Sequence, residues 1–408
     1  MSDQISPLAP DRFPDLPPVA GVRASIGRLG LYKHERNDLM VVALDEGTSV
    51  GGAFTQSLTA SADVHWCRDN VKRGTARALV CNAGNSNAFT GPAGVEKNLA
   101  TAATMAKLAS CAPEDVFLAA TGVIGQPLPA RRVADALPER YAALAPVNWE
   151  NLARTFMTTD TFPKGAGKSV EIAGTKVNLA GVCKGSGMIA PNMATMLVFI
   201  FTDAALAPNV TQALLDRHLG ATFNSITVDG DTSTSDTLLL FATGKSGAPL
   251  ISDPNDPRLA AFSAALKDVM FDLALQVVRD GEGARKLIRI GITGAKSEAS
   301  ARKIGLEIAN SPLVKTAIAG GDANWGRIVM AVGKAYEPID IDKLTIKFGG
   351  VTTARGGAVP YDEAPVDAHV RGKKVEIDVD VGVGSGAATI WTCDLTDGYI
   401  RINGDYRS

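Results

Sequence analysis

The chain has 408 residues, more than one hydrophobic core usually organises, so two lobes are expected. Its 41 Lys and Arg against 43 Asp and Glu leave a net charge of −2, which provides no basic footprint for a nucleic acid. No apolar run has the length of a membrane span, residues 1–18 lack the basic start and apolar core of a signal peptide, and Cys67, Cys81, Cys111, Cys183 and Cys393 are scattered without a CxxC pair, so a cytoplasmic protein without disulfides is expected.

In chain order, residues 1–20 read as an extended arm. A strand-like run, Ala76–Val80, leads into the glycine- and asparagine-rich segment Cys81–Ala88. Apolar positions spaced by three and four predict a helix from about Val95 to Ser110, with Pro113 at its exit. Val116–Ala120 reads as a short buried strand that ends in Thr121-Gly122-Val123-Ile124-Gly125. Lys164–Ser169 reads as a loop, followed by an alternating strand pattern through Val182. Beyond residue 195 come a strand to Thr202, a helix at about 210–219, a strand around Ile226 and a helix at about 257–278. A strand at 286–292, a helix at 298–308 and strands at 344–348, 374–381 and 388–395 complete the series. The steady βαβ rhythm of a doubly wound sheet is missing, so a layered α/β or α+β sandwich with a smaller strand-rich C-terminal lobe is expected.

Two glycine-rich stretches imitate phosphate sites. Gly165-Ala166-Gly167-Lys168-Ser169 fails the Walker pattern, because Phe162 stands where its first glycine is required. Gly382-Val383-Gly384-Ser385-Gly386-Ala387 runs into a strand pattern where a dinucleotide turn needs a helix. Both read as structural. His34, His65, His218 and His369 show no metal spacing and read as structural or surface residues, and no metal site is expected.

The stretch Lys184-Gly185-Ser186-Gly187-Met188-Ile189-Ala190-Pro191-Asn192-Met193-Ala194-Thr195-Met196-Leu197 is the most specific part of the chain. It carries a glycine- and proline-punctuated loop to a threonine at the mouth of the apolar run Val198–Phe201. A threonine there can simply begin a strand, since β-branched residues suit strands. Cutting the Ala194–Thr195 bond would instead give Thr195 a free α-amine beside its hydroxyl, a nucleophile and base in one residue. Backbone N–H groups in the Thr121-Gly122 turn are a natural source of oxyanion donors, although a plain strand-to-loop turn reads the same way. Hydroxyls cluster in Met157-Thr158-Thr159-Asp160-Thr161, as in an ST-type turn or a ligand site. Lys184 is a cation suited to a carboxylate or to solvent. Glu282, between Gly281 and Gly283, suits a substrate amine or a turn after a helix stop.

The fourteen-residue stretch resembles the self-cleavage motif of the ornithine acetyltransferase family, the bifunctional glutamate/ornithine N-acetyltransferases of arginine biosynthesis. The resemblance extends from Gly21 to Ser408 and takes in three more segments. These are Val228–Thr237, Gly320–Arg327 and the tail Tyr399–Ser408; the first two read as loops around the active cleft or the lobe interface. It implies an autoprocessing fold of the N-terminal-nucleophile type, cut at Ala194–Thr195. Residues 1–194 would form an α chain, 195–280 the nucleophile strand and rest of the catalytic lobe, and 281–408 the C-terminal lobe of the β chain. Thr195 would carry acetyl from N-acetylornithine to glutamate, with Thr121 and Gly122 stabilising the oxyanion. Thr158 (or Thr159), Lys184, Glu282, Asn403 and Ser408 would bind substrate. The resemblance further implies an α2β2 heterotetramer and no metal or organic cofactor, with acetyl-coenzyme A open as a second donor. An aminopeptidase or amidohydrolase of the same fold, with water as acceptor, is the alternative enzyme, and a non-processing small-molecule receptor the alternative binding protein.

Overall fold

The computed structural model describes residues 5–190 and 196–404. In chain order the strands are β1 (Val22–Gly27), β2 (Leu39–Leu44), β3 (Ser49–Phe54), β4 (Ala78–Asn85), β5 (Val116–Val123), β6 (Ala145–Pro146), β7 (Lys164–Ile172), β8 (Thr175–Lys184), β9 (Leu197–Thr202), β10 (Thr237–Ala242), β11 (Leu287–Ala295), β12 (Thr345–Phe348), β13 (Val351–Arg355), β14 (Lys374–Asp380) and β15 (Gly386–Cys393). The helices are α1 (Ala62–Asn70), α2 (Pro92–Ala109), α3 (Leu137–Ala142), α4 (Trp149–Thr155), α5 (Pro208–Leu219), α6 (Ala260–Arg279), α7 (Glu298–Ala309), α8 (Pro312–Gly320), α9 (Trp325–Gly333), α10 (Glu363–Arg371) and α11 (Asp397–Gly404).

The strands form three five-stranded sheets, in the orders β5-β4-β2-β1-β6, β3-β10-β9-β8-β7 and β13-β12-β14-β11-β15. Each is mixed, with one parallel pair: β4 with β5, β9 with β10, and β11 with β14.

Side-chain alternation stacks the first two sheets. Along β2, Met40, Val42 and Leu44 face one core while Leu39 and Val41 face another; along β9, Leu197, Phe199 and Phe201 face the first core while Val198 and Ile200 face a third. The shared core lies between the two sheets and includes a stacked Phe201–Phe241 pair with ring centroids 5.3 Å apart. The outer face of the first sheet is covered by α2 and α3, and that of the second by α5 and α6. The result is four layers, helix–sheet–sheet–helix. Strands buried on both faces have no polar side to show, which is why Leu39–Leu44 and Leu197–Phe201 are unbroken apolar runs. The third sheet and α7 to α10 enclose a separate core, the smaller C-terminal lobe. It joins the sandwich through the bridge between Ile226 and Trp391 and through Leu287 and Cys393, which belong to the core beneath α6.

Several expectations change. Lys164–Ser169 is no loop but the start of β7, an edge strand. Its glycines are there for packing: a Cβ on Gly165 would sit 2.4 Å from the Phe13 ring and one on Gly167 2.7 Å from Pro17, because the N-terminal arm lies across this strand. β4 extends through the asparagine-rich segment as far as Asn85. Gly320–Arg327 is the turn between α8 and α9, with Asn324 capping α9, inside the C-terminal lobe. Gly382–Ala387 spans the connection from β14 and the first two residues of β15, in keeping with its structural reading. Among the described residues no helix is long and apolar enough to cross a membrane.

Candidate active site

The ends of several strands and loops meet around a cavity of about 260 Å³. Thr121 and Gly122 near the end of β5, Thr158 and Thr159 ahead of β7, Lys184 at the end of β8, Glu282 after α6 and Asn403 on α11 all line it. Ala194, Thr195 and Ser408 lie outside the described residues. The chain resumes at Met196, and its next residue, Leu197, pairs directly with Lys184. A larger, more open cleft of about 510 Å³, bordered by β3, α1 and α5, contains none of these residues.

Gly122 can only be glycine. Its φ is +130°, and a Cβ would fall 2.4 Å from Gly84 C and 2.6 Å from Asn85 N, in the neighbouring strand β4. There a register shift at Gly84–Asn85 bends β4 toward it. The bend is held by Asn82 Nδ2 donating to Asn85 O (2.9 Å) and by Asn87 N donating to Asn85 Oδ1 (3.0 Å). Beneath it, buried Lys97 donates to Asp63 (3.2 Å) and Asn82 (3.3 Å).

The opposite wall is set by charge. Lys184 Nζ donates to Thr158 Oγ1 at 3.2 Å. Burial pulls the Lys184 ammonium below its ordinary value, opposed by the charges of Asp160, Asp236 and Glu282. Glu282 accepts from Asn403 Nδ2 at 2.6 Å and from the Thr159 hydroxyl; burial still raises its carboxyl above the usual range. A Cβ on Gly187 would lie 2.4 Å from Glu282 Cδ, so the glycine lets the Lys184–Ala190 loop run against that carboxylate. The two adjacent threonines thus serve different partners, Thr158 the cation and Thr159 the anion.

Behind this wall is a fully buried charge cluster. Lys164 Nζ donates to Asp160 at 2.6 Å and to Asp280 at 2.5 Å. Asp160 also accepts from Gly185 N (2.7 Å) and Thr158 N (3.0 Å), and Asp280 from Thr161 N (2.9 Å). Burial alone would raise the Asp160 carboxyl, but the ammonium groups of Lys164 and Lys184 outweigh it and hold it at about 2. Burial, with the Asp160 charge nearby, pushes Asp280 up to about 6 against the pull of Lys164. Ser186 Oγ donates to the Asp280 carbonyl (2.5 Å), and Glu282 N donates to Ser186 O (3.1 Å). The segments that carry Thr158, Lys184 and Glu282 are therefore tied to one ion cluster.

The ArgJ family model matches residues 23–408. The chain belongs to the ArgJ family. It is 54% identical over 406 residues to the arginine biosynthesis bifunctional protein ArgJ of Gluconobacter oxydans, covering 99% of this chain and 96% of that protein. To the protein of the same name from Bradyrhizobium diazoefficiens it is 53% identical over the full length of both. The solved crystal structure of the Bacillus halodurans argJ protein is 39% identical with a TM-score of 0.48, covering 50% of this chain and 95% of that one. As an ArgJ-family member the chain is an acetyltransferase of arginine biosynthesis.

In this ArgJ-family chain the sequence reading missed part of the cavity wall. Val228–Thr237 was expected as a cleft loop without chemistry, and Asp229, Asp231 and Ser233 to Ser235 line the cavity. Tyr399 of α11 lines it as well, with its hydroxyl 3.4 Å from Asp229. Gly320–Arg327, expected at the cleft or the lobe interface, is not among the residues that line the cavity. Among the described residues no group of three or more His, Cys, Asp or Glu is placed to hold a metal ion. His218 shares a structural hydrogen bond with Ser263 Oγ (2.8 Å), and His369 Nε2 accepts one from Glu376 N (2.8 Å).

Proposed function

We propose that the chain cleaves itself between Ala194 and Thr195 and then transfers acetyl from N-acetylornithine to glutamate through acetyl-Thr195. The observation that carries this reading is convergence. Thr121, Gly122, Thr158, Lys184, Glu282 and Asn403, which are distant in sequence, surround one cavity at the strand ends where β8 finishes and the chain re-enters the sheet at Leu197, just after Ala194.

In the self-cleavage step the Thr195 hydroxyl attacks the Ala194 carbonyl carbon, the peptide nitrogen leaves as the new α-amine, and water hydrolyses the ester. In the transfer step that α-amine takes the hydroxyl proton as Thr195 attacks the acetyl carbonyl. The oxyanion is stabilised by Thr121 and Gly122, where the constraint on Gly122 supports a preorganised donor. The protonated α-amine passes its proton to the departing ornithine nitrogen, and glutamate then reverses the sequence. Lys184 receives the substrate α-carboxylate and Glu282 the side-chain amine of ornithine. Thr158, Asn403 and Ser408 complete the substrate contacts. The two fragments remain together as an α2β2 heterotetramer in the cytoplasm, without metal or organic cofactor.

Intact-mass measurement and N-terminal sequencing test the first step. A second chain that begins at Thr195, together with an uncut and inactive Thr195→Ala variant, is expected. A single chain or a different new N-terminus refutes the proposal. Incubation with N-acetylornithine alone is expected to leave one acetyl group on the C-terminal fragment, and the same assay with acetyl-coenzyme A decides whether it is a second donor.

A further inference from the structure

The loop that leads toward residue 194 is held from outside itself. Met188 has a φ of +58°, in the left-handed region that a non-glycine residue occupies only when its surroundings enforce it. What enforces it is Asp229. One carboxylate oxygen accepts from Met188 N at 2.6 Å and the other from Ile189 N at 2.9 Å. Two successive backbone N–H groups are thus bound by one charged side chain, an arrangement that the left-handed turn makes possible. The neighbours of Asp229 complete the grip: Val228 N and Thr227 Oγ1 both donate to Ile189 O, each at 2.9 Å. Asp229 is itself braced by Asp231 N at 3.2 Å and the Tyr399 hydroxyl at 3.4 Å.

We infer that Asp229 is a positioning residue for self-cleavage: it clamps Met188 and Ile189 and so fixes the path along which the chain approaches the Ala194–Thr195 bond. The inference rests on the cleavage proposed above. The clamp comes entirely from residues after the scissile bond and holds residues before it, so the two sides are registered against each other while the bond is still intact. Ile189, one end of the clamp, is fully buried in the core beneath α6, which anchors the loop to the rigid sandwich. Met188, at the strained position, is 40% exposed, so the core does not hold it there and the Asp229 contact is what fixes its backbone.

The experiment follows conversion of the freshly made full-length chain into two fragments by intact mass over time. Asp229→Ala removes both acceptors, and Asp229→Asn keeps one. The expected order of cleavage rates is wild type, then Asp229→Asn at least tenfold slower, then Asp229→Ala slower again. To separate positioning from general unfolding, each substitution is also placed in the uncut Thr195→Ala background and melted. Similar unfolding temperatures alongside the graded loss of cleavage support the clamp. Wild-type cleavage before Thr195 with an Asp229→Ala rate within twofold of it overturns the clamp but leaves the cleavage reading standing. A wild-type chain that is uncut, or cut elsewhere, overturns both. If Asp229→Ala fails to fold, the comparison of Asp229→Asn with wild type decides, and equal rates overturn the clamp.

Discussion

Replacing Gly122 with alanine tests the oxyanion assignment through a contact that the fold itself dictates. The added methyl carbon would stand 2.4 Å from Gly84 C, 2.6 Å from Asn85 N and 2.7 Å from Gly84 Cα. All three atoms are backbone in a paired strand, so no side chain can swing away. Ordinary contact requires separations of about 3.5 Å or more between carbons, so β4 and β5 must part locally by something on the order of 1 Å. The backbone at Gly122 must also leave its φ of +130°, which an L-residue rarely adopts. Displacement of about 1 Å at a reacting centre can cost ~100-fold, and loss of one oxyanion donor ~100- to 1,000-fold in kcat, about 2.7 to 4 kcal/mol. Gly122→Ala is therefore expected to lower kcat by roughly 100-fold or more, with a smaller change in KM. Gly125→Ala is the control. That residue also has a positive φ, +78°, but nothing lies within 4 Å of its would-be Cβ, so backbone strain of about 1 to 2 kcal/mol is the whole expected penalty. The assay is acetyl transfer from N-acetylornithine to glutamate, normalised to the cleaved fraction, with the rate of cleavage followed separately. A Gly122→Ala enzyme within threefold of wild type in both rates would show that Thr121 and Gly122 do not serve the oxyanion.

Two further outcomes follow from buried charge. Glu282 has a carboxyl raised by burial, so its negative charge disappears as pH falls through that raised value, earlier than an ordinary carboxylate would lose it. The KM for N-acetylornithine is expected to climb on that acidic limb, and Glu282→Gln to raise the KM throughout and flatten the limb; an unchanged limb in the variant removes Glu282 from the binding of the substrate amine. Lys164→Met leaves Asp160 and Asp280 buried without the ammonium between them, and breaking such a pair costs about 3 to 5 kcal/mol. Urea unfolding of the uncut Thr195→Ala form should show that loss, and a difference under about 1 kcal/mol would mean that water or rearranged partners satisfy the cluster.

What could be read from the sequence divides along physical lines. β9 and α2 were legible because their apolar patterns are local: a run buried on both faces and a three-four periodicity. β7 was not, because the reason for its glycines lies in Phe13, Leu16 and Pro17, some 150 residues away in the chain. The candidate site was legible where a motif carried it, and Thr121, Gly122, Thr158, Lys184, Glu282 and Asn403 do line one cavity. Asp229 and the Asp160–Lys164–Asp280 cluster were not legible as part of it. Each is an ordinary charged residue in sequence and gains its meaning only from burial and from partners on other segments.

The second sheet takes β3, β7 and β8 from before residue 195 and β9 and β10 from after it, with β8 and β9 side by side in six register pairs. A break between those two strands leaves every backbone hydrogen bond of the pair intact, so the pieces stay joined by the sheet and its cores although no covalent link remains. Folding is a different matter. An unbroken chain brings β9 back onto β8 by closing a loop of a dozen residues, an intramolecular search with a small entropic penalty. Two separated pieces have to find each other in solution and thread strands into the middle of a shared sheet, a second-order process open to aggregation. If the proposed cleavage occurs, its place in the order of events is built into the topology: folding as one molecule comes first and the cut afterwards, and renaturation of the cut protein should slow as its concentration falls, while that of the uncut precursor should not.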